Sequence, residues 1–231
     1  MPAKYASHPD SRSDSKEENH MQNKQHKHIL TLVQMAVLIA IMLVLELTGL
    51  GMVKIGPLEM TILQFPVIVG AILMGPAAGA GLGLVFGLIS FWECFGKSSF
   101  GTTLMGINPF FTFLVCVPTR TLMGFLCGLI YKGMHKILVG SKEKVSQGRK
   151  IIPYVAASLS GALLNTLFFM TTLLALFSKT EFIQSFMTLA GTESLLLFAV
   201  WFVGLQGLVE ALLCAFLGTV ISRGVDAVLK K

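Results

Sequence analysis

Apolar residues fall in runs of bilayer length along this chain, separated by short polar connections, and the runs show no alternation of period two. A helix crossing about 30 Å of hydrocarbon needs about 20 largely apolar residues. No water is available there to the backbone, so helices are expected rather than open strands, and the missing alternation argues against a transmembrane barrel. Six segments fit: 29–51, 57–74, 76–95, 109–131, 151–177 and 195–222. The expected fold class is an all-α membrane protein, a compact bundle of six transmembrane helices. Residues 1–28 are polar throughout and cannot bury a core. They are expected as a disordered cytoplasmic tail ahead of a single transmembrane domain over 29–231. The first apolar run starts only at Ile29 and is long enough to stay as a spanning helix, unlike a cleaved secretory signal.

Only 13% of residues are charged, so the position of each charge is informative. Of the 18 Lys and Arg, five precede residue 29, six lie from Lys132 to Lys150 and three follow residue 222. The intervening connections carry one each, Lys54, Lys97 and Lys179, and Arg120 lies inside the fourth segment. An excess of Lys and Arg marks cytoplasmic loops, which predicts both termini inside (N-in, C-in). The net charge of +6 is then mostly an orientation signal. No nucleic-acid partner is indicated, because the basic residues are dispersed and no aromatic platform is interleaved with them. Cys94, Cys116, Cys127 and Cys214 occur singly, without the close pairing of a metal site or redox couple. They read as packing residues. His26 and His28 are two tail histidines without further ligands, so neither a metal nor any other cofactor is expected.

The Gly75-Pro76 corner forces a tight hairpin between segments two and three. The connections on the other side are longer: GLGMVKIGPLE, FGKSSFGTTLMGINP and SKTEFIQSFMTLAGTES. They read either as loops that close over a ligand or as plain linkers. Gly79, Gly83 and Gly87 recur every four residues on one helical stripe, a surface for close helix packing in lipid. The G-x-G-x-x-G in this stretch lacks the strand and βαβ unit that nucleotide binding requires. Gly204, Gly207, Ala211, Ala215 and Gly218 form a similar series in segment six. Ala36 and Ala40, one turn apart, offer a flat helix surface.

Charges within the hydrocarbon usually face a partner or a cavity, which singles out Glu46, Arg120 and Glu210. Arg120 is expected near the midplane and Glu210 somewhat deeper, so a salt bridge between them is one reading and a ligand contact by Arg120 is another. Gln64, Trp92, Asn108, Trp201 and Gln206 gather towards the outer side, with Asn165 near the midplane. A few convergent polar groups among aromatics form the usual small-molecule pocket. The competing reading makes Trp92 and Trp201 interfacial belt residues and the amides bridges between helices. No phosphate-binding loop, no H-E-x-x-H and no nucleophile elbow occurs, so the chain reads as a non-enzyme whose energy, if used, comes from a partner.

Two stretches carry a family resemblance: LEMTILQFPVIVGAILMGPAAGAGLGLVFGLISF, Leu58 to Phe91, and VPTRTLMGFLCGLIYKG, Val117 to Gly133. With the small pair on helix one, they make everything after residue 28 resemble the substrate-capture subunit (S component) of an energy-coupling factor (ECF) vitamin transporter. The resemblance implies a six-helix subunit in the cell membrane that binds a vitamin near the outer face. It also implies docking through Ala36 and Ala40 on a membrane scaffold subunit bearing two cytoplasmic ATPases, with toppling in the lipid to release the cargo. Pantothenate is favoured, with folate and cobalamin-type compounds as alternatives. A carboxylate ligand would suit Arg120 or Lys54. The competing functions are a membrane assembly or scaffold protein that transports nothing, and a stand-alone secondary transporter.

Overall fold

The computed structural model describes residues 11–49, 51–55, 58–140, 147–189, 191, 194, 197, 207 and 209–229; side chains are described for these residues apart from 11–24, 27, 52–60, 147 and 226–229. Helix α1 (Ser11–Leu47) leads into a two-stranded antiparallel hairpin, β1 (Met52–Ile55) and β2 (Leu58–Thr61), paired from Met52↔Thr61 to Ile55↔Leu58. Then follow α2 (Gln64–Met74), α3 (Pro76–Glu93), α4 (Ser99–Ile107), α5 (Pro109–Leu138), α6 (Gln147–Phe177) and α7 (Glu181–Leu189). A π turn (Cys214–Gly218) runs directly into α8 (Thr219–Leu229). Helix α1 continues upstream of its apolar part through residues 11–27 of the polar tail.

Among the described residues four helices are long and apolar enough to cross a membrane: His28–Leu47, Pro76–Glu93, Pro109–Leu138 and Gly148–Phe177. The expected bundle of six spanning helices is corrected accordingly. Segment 57–74 falls short because its first residues belong to the hairpin. Its helix, α2, has only 11 residues, about 16 Å of rise against a hydrocarbon core of about 30 Å. Sequence accounts for the first strand, because Val53 and Ile55 suit extended backbone. Segment 195–222 lies partly outside the described residues, and its described part passes through the π turn.

Helices α3 and α5 form the central pair, α6 packs on α5, and α2 lies across α3, α5 and α6. Lipid tails are as apolar as leucine, so association rests on close packing rather than on escape from water. The glycine stripe supplies that closeness. A Cβ on Gly79 would lie 2.3 Å from the Gly124 carbonyl oxygen, and one on Gly87 would lie 2.7 Å from the Val117 Cα. At the α2–α3 corner Gly75 has φ +96°, a conformation side-chain-bearing residues rarely adopt, and Pro76 starts α3 where its missing N–H has no helical partner to lose. Met42, Val67, Leu82, Phe86 and Met123 join α1, α2, α3 and α5 in one core. A second core joins Leu104 of α4, Val115 of α5, Met170, Leu173 and Phe177 of α6, and Ile183 and Met187 of α7. Helices α4 and α7 are thereby seated over the hairpin end of the bundle, where Phe100 meets Phe182 at 5.4 Å between ring centroids.

Candidate functional site

Helix α5 carries the central charge of the site. Pro118 lies inside this helix and cannot donate the usual i→i−4 hydrogen bond. Beside that break, Thr119 Oγ1 donates to the Val115 carbonyl at 2.5 Å, and Arg120 NH1 donates to the Val115 and Cys116 carbonyls at 3.3 and 3.2 Å. The Arg120 guanidinium is therefore held back along its own helix. It lies over the rings of Phe86 on α3 and Phe169 on α6, 4.9 and 5.5 Å from their centroids, an arrangement in which a cation is attracted by both ring faces. Arg120 is buried, and its Nε has no hydrogen-bond partner.

Around Arg120 the buried polar atoms fall into two groups. At the end of α3, Glu93 is fully buried, and its carboxyl has no well-aligned hydrogen bond among the described residues although the Glu46 side chain lies within reach. It faces Glu46 of α1, within electrostatic range of Lys97 and Arg120. Lys97 Nζ donates to the Glu46 backbone carbonyl at 2.7 Å and forms an ion pair with the Glu46 carboxylate. This ties the turn after α3 to the end of α1. Next to it Cys94 and Cys116 sulfurs lie 4.0 Å apart.

The second group joins α2, α6 and the C-terminal helix. Gln64, fully buried at the start of α2, donates to the Cys214 sulfur at 2.9 Å, while its Oε1 is unpartnered. Glu210 is buried one turn before Cys214, close to Gln64 and within electrostatic range of Arg120. No ion pair joins Arg120 to Glu210 among the described residues, and Glu210 Oε1 has no partner. Asn165 Oδ1 and Ser158 Oγ on α6 are likewise buried and unpartnered. Buried polar groups in native proteins nearly always have a partner, and each exception calls for water, an ion or a ligand. Arg120, Glu93, Glu210 and Gln64, from four helices, thus gather around the Arg120 charge with several polar atoms that have no partner among the described residues.

The sequence-predicted residues divide accordingly. Glu46, Gln64 and Arg120 are buried in these two groups, and Asn165 is buried on α6. Trp92 is 73% exposed and meets Phe95 at a tilt, 6.0 Å between ring centroids, outside both groups. Asn108 caps α5, its Oδ1 accepting from the Phe111 N–H at 3.2 Å. Lys54 lies on β1 opposite Glu59 in the register, and its side chain falls outside the described set. Trp201 and Gln206 also lie outside the described residues. Ala36 and Ala40 are exposed on α1. Sequence reasoning missed Glu93, although it is an acidic residue inside the expected third segment and carries the same signal that singled out Glu46 and Glu210.

The family described as "ECF transporter, substrate-specific component" matches residues 30–222. The chain is 32% identical over 114 residues to the Pantothenate transporter PanT of Leuconostoc mesenteroides subsp. mesenteroides, covering 48% of this chain and 53% of that protein. It is 31% identical over 153 residues to the Pantothenic acid transporter PanT of Lactococcus lactis subsp. cremoris, covering 63% of this chain and 73% of that protein. The aligned stretch thus spans about half the length of the first relative and about three quarters of the second. With most of its length matched and several helices apolar enough to span a bilayer, this multi-pass membrane protein belongs to the family of ECF transporter substrate-specific components.

Proposed function

We propose that this transport subunit captures pantothenate, or a close relative of it, at the polar centre around Arg120. The observation that carries the reading is the gathering of Glu93, Glu210 and Gln64 around Arg120, with buried atoms that have no partner among the described residues. Pantothenate offers a carboxylate, an amide and two hydroxyls. The Arg120 guanidinium suits the carboxylate through a charge-assisted hydrogen bond, and the unpaired carboxyl and amide oxygens suit hydroxyl and N–H donors. Both relatives reported above are named as pantothenate transporters, which favours this cargo over folate or a cobalamin-type compound.

The end that carries Lys132, Lys136, Arg149 and Lys150 faces the cytoplasm in this reading, in line with the bias of Lys and Arg to that side. The hairpin, α4 and α7 then face outward, both termini lie inside, and ligand enters beneath the aromatic contacts of α4 and α7. The exposed face of α1 that contains Ala36 and Ala40 docks on a membrane scaffold subunit bearing two ATPases. ATP hydrolysis there drives release inside. Thermal unfolding of the purified subunit in detergent with each B vitamin in turn tests the cargo, because a ligand that binds only the folded state raises the midpoint. A shift with pantothenate is expected, and folded protein that responds to another vitamin but not to pantothenate would overturn the proposal.

A further inference from the structure

An open groove of about 480 Å³ lies at the far end of the bundle from the polar centre, between the last turn of α2 and the last turns of α5. It is lined by Ile72 and Leu73 of α2 and by Tyr131, Lys132, His135 and Lys136 of α5, with no acidic residue among the described lining. His135 and Lys136 stand in the last turn of α5, where cations complement the helix dipole. Lys132 lies a turn earlier. Its ammonium rests against the α2–α3 corner, 3.3 Å from where a Cβ on Gly75 would stand. That corner is at once the C-terminal end of α2, whose last carbonyls favour a cation, and the N-terminal end of α3, whose first backbone N–H groups favour an anion. Neither Lys132 nor Lys136 makes an ion pair among the described residues. Among the described residues, cations and no anion therefore meet in one groove.

An apolar track leads to these cations. Leu122, Phe125 and Leu129 are exposed on α5, followed at the same alternating spacing of three and four by the exposed Lys132 and Lys136. All five share one stripe of the helix. From Leu122 to Lys132 the stripe climbs about 15 Å at about 1.5 Å per residue, the depth of one leaflet of a hydrocarbon core of about 30 Å. We infer that the groove seats the phosphate of an anionic phospholipid on Lys132 and Lys136, with an acyl chain lying along Leu122, Phe125 and Leu129. Basic pockets between helices at this depth suit such headgroups, and the apolar track favours a lipid over a free phosphate compound.

Native mass spectrometry of the detergent-purified protein, titrated with phosphatidylglycerol or phosphatidylcholine, tests the assignment. The wild type is expected to retain phosphatidylglycerol preferentially. The K132Q/K136Q variant should lose roughly thirty-fold in that retention and little in phosphatidylcholine retention. The K132R/K136R variant should keep the preference, and K150Q, at an exposed cation on α6 at the same end, should leave it unchanged. Equal retention of the two lipids by the wild type would overturn the site. So would a K150Q loss as large as the double variant's, which would mean diffuse charge. If K132Q/K136Q does not fold, loss of the preference in K132R/K136R overturns it as well. Displacement of the lipid by millimolar inorganic phosphate or glycerol phosphate would overturn the lipid assignment in favour of a soluble phosphate ligand.

Discussion

Gly83 on α3 and Arg120 on α5 touch backbone to backbone: a Cβ on Gly83 would lie 2.3 Å from the Arg120 carbonyl oxygen. The glycine stripe therefore does more than join two helices, because it fixes the depth and the distance at which the central cation faces α3. Gly83→Ala must push α3 off α5. Overpacking of this kind costs about 1–3 kcal/mol, and the same displacement moves Glu93 away from Arg120. A lower thermal midpoint together with weaker pantothenate binding is expected from differential scanning fluorimetry and titration. Unchanged stability would show that α5 can shift without penalty.

Glu93 separates a structural role from a ligand-binding one. A fully buried carboxyl set against a second carboxyl, Glu46, destabilises the ligand-free fold, and replacing such a group by an apolar one of similar shape is often neutral or stabilising. Glu93→Met is expected to leave the ligand-free midpoint equal or higher while weakening pantothenate binding at least tenfold. A structural Glu93 would give the opposite pattern, a drop in midpoint with affinity retained.

The ion pair of Lys97 with Glu46 ties the turn after α3 to the end of α1, next to the buried Glu93. Lys97 is half exposed, so the pair contributes at most about 1 kcal/mol to stability. Its effect should show in kinetics. Lys97→Gln is expected to raise the pantothenate dissociation rate several-fold with the midpoint nearly unchanged, and high salt should mimic part of that rise in the wild type. Stopped-flow displacement measures it, and identical rates in wild type and variant would remove the turn from the account.

Helix α1 is the least buried of the spanning helices, and Ala36 and Ala40 lie on its open side with Val33, Val37 and Val44. A tryptophan at either alanine has room in the isolated subunit but would hold a partner helix away from this face. Ala36→Trp or Ala40→Trp is expected to leave vitamin binding within about two-fold and to abolish uptake in cells that supply the scaffold and ATPases. Loss of both activities together would place these alanines in the fold rather than at an interface.

Periodicity and length made the membrane class, the Gly75-Pro76 corner and the glycine stripe legible in the sequence, because each rests on local pattern. The hairpin was missed although Val53 and Ile55 suit its first strand, since a run counted only for apolarity does not separate strand from helix. Arg120 was visible as an isolated charge, but its hydrogen bonds to Val115 and Cys116 depend on the break at Pro118 and on rings from two other helices. That geometry, and not charge pairing with Glu210, holds it. Asn108 and Trp92 had the right composition for a pocket, yet one caps a helix and the other faces outward. Composition alone does not tell which way a side chain points.

Calorimetric titration of the purified wild-type subunit with pantothenate and with pantothenol, which carries an alcohol in place of the carboxylate, tests the central claim most directly. A carboxylate seated on buried Arg120 predicts tight binding of pantothenate, with pantothenol weaker by about ten- to a hundred-fold, the range expected for a hydrogen bond to a charged group. Arg120→Ala should erase that preference. Equal affinity for the two compounds in the wild type, or an undiminished preference in Arg120→Ala, would contradict the assignment of the polar centre as the vitamin site.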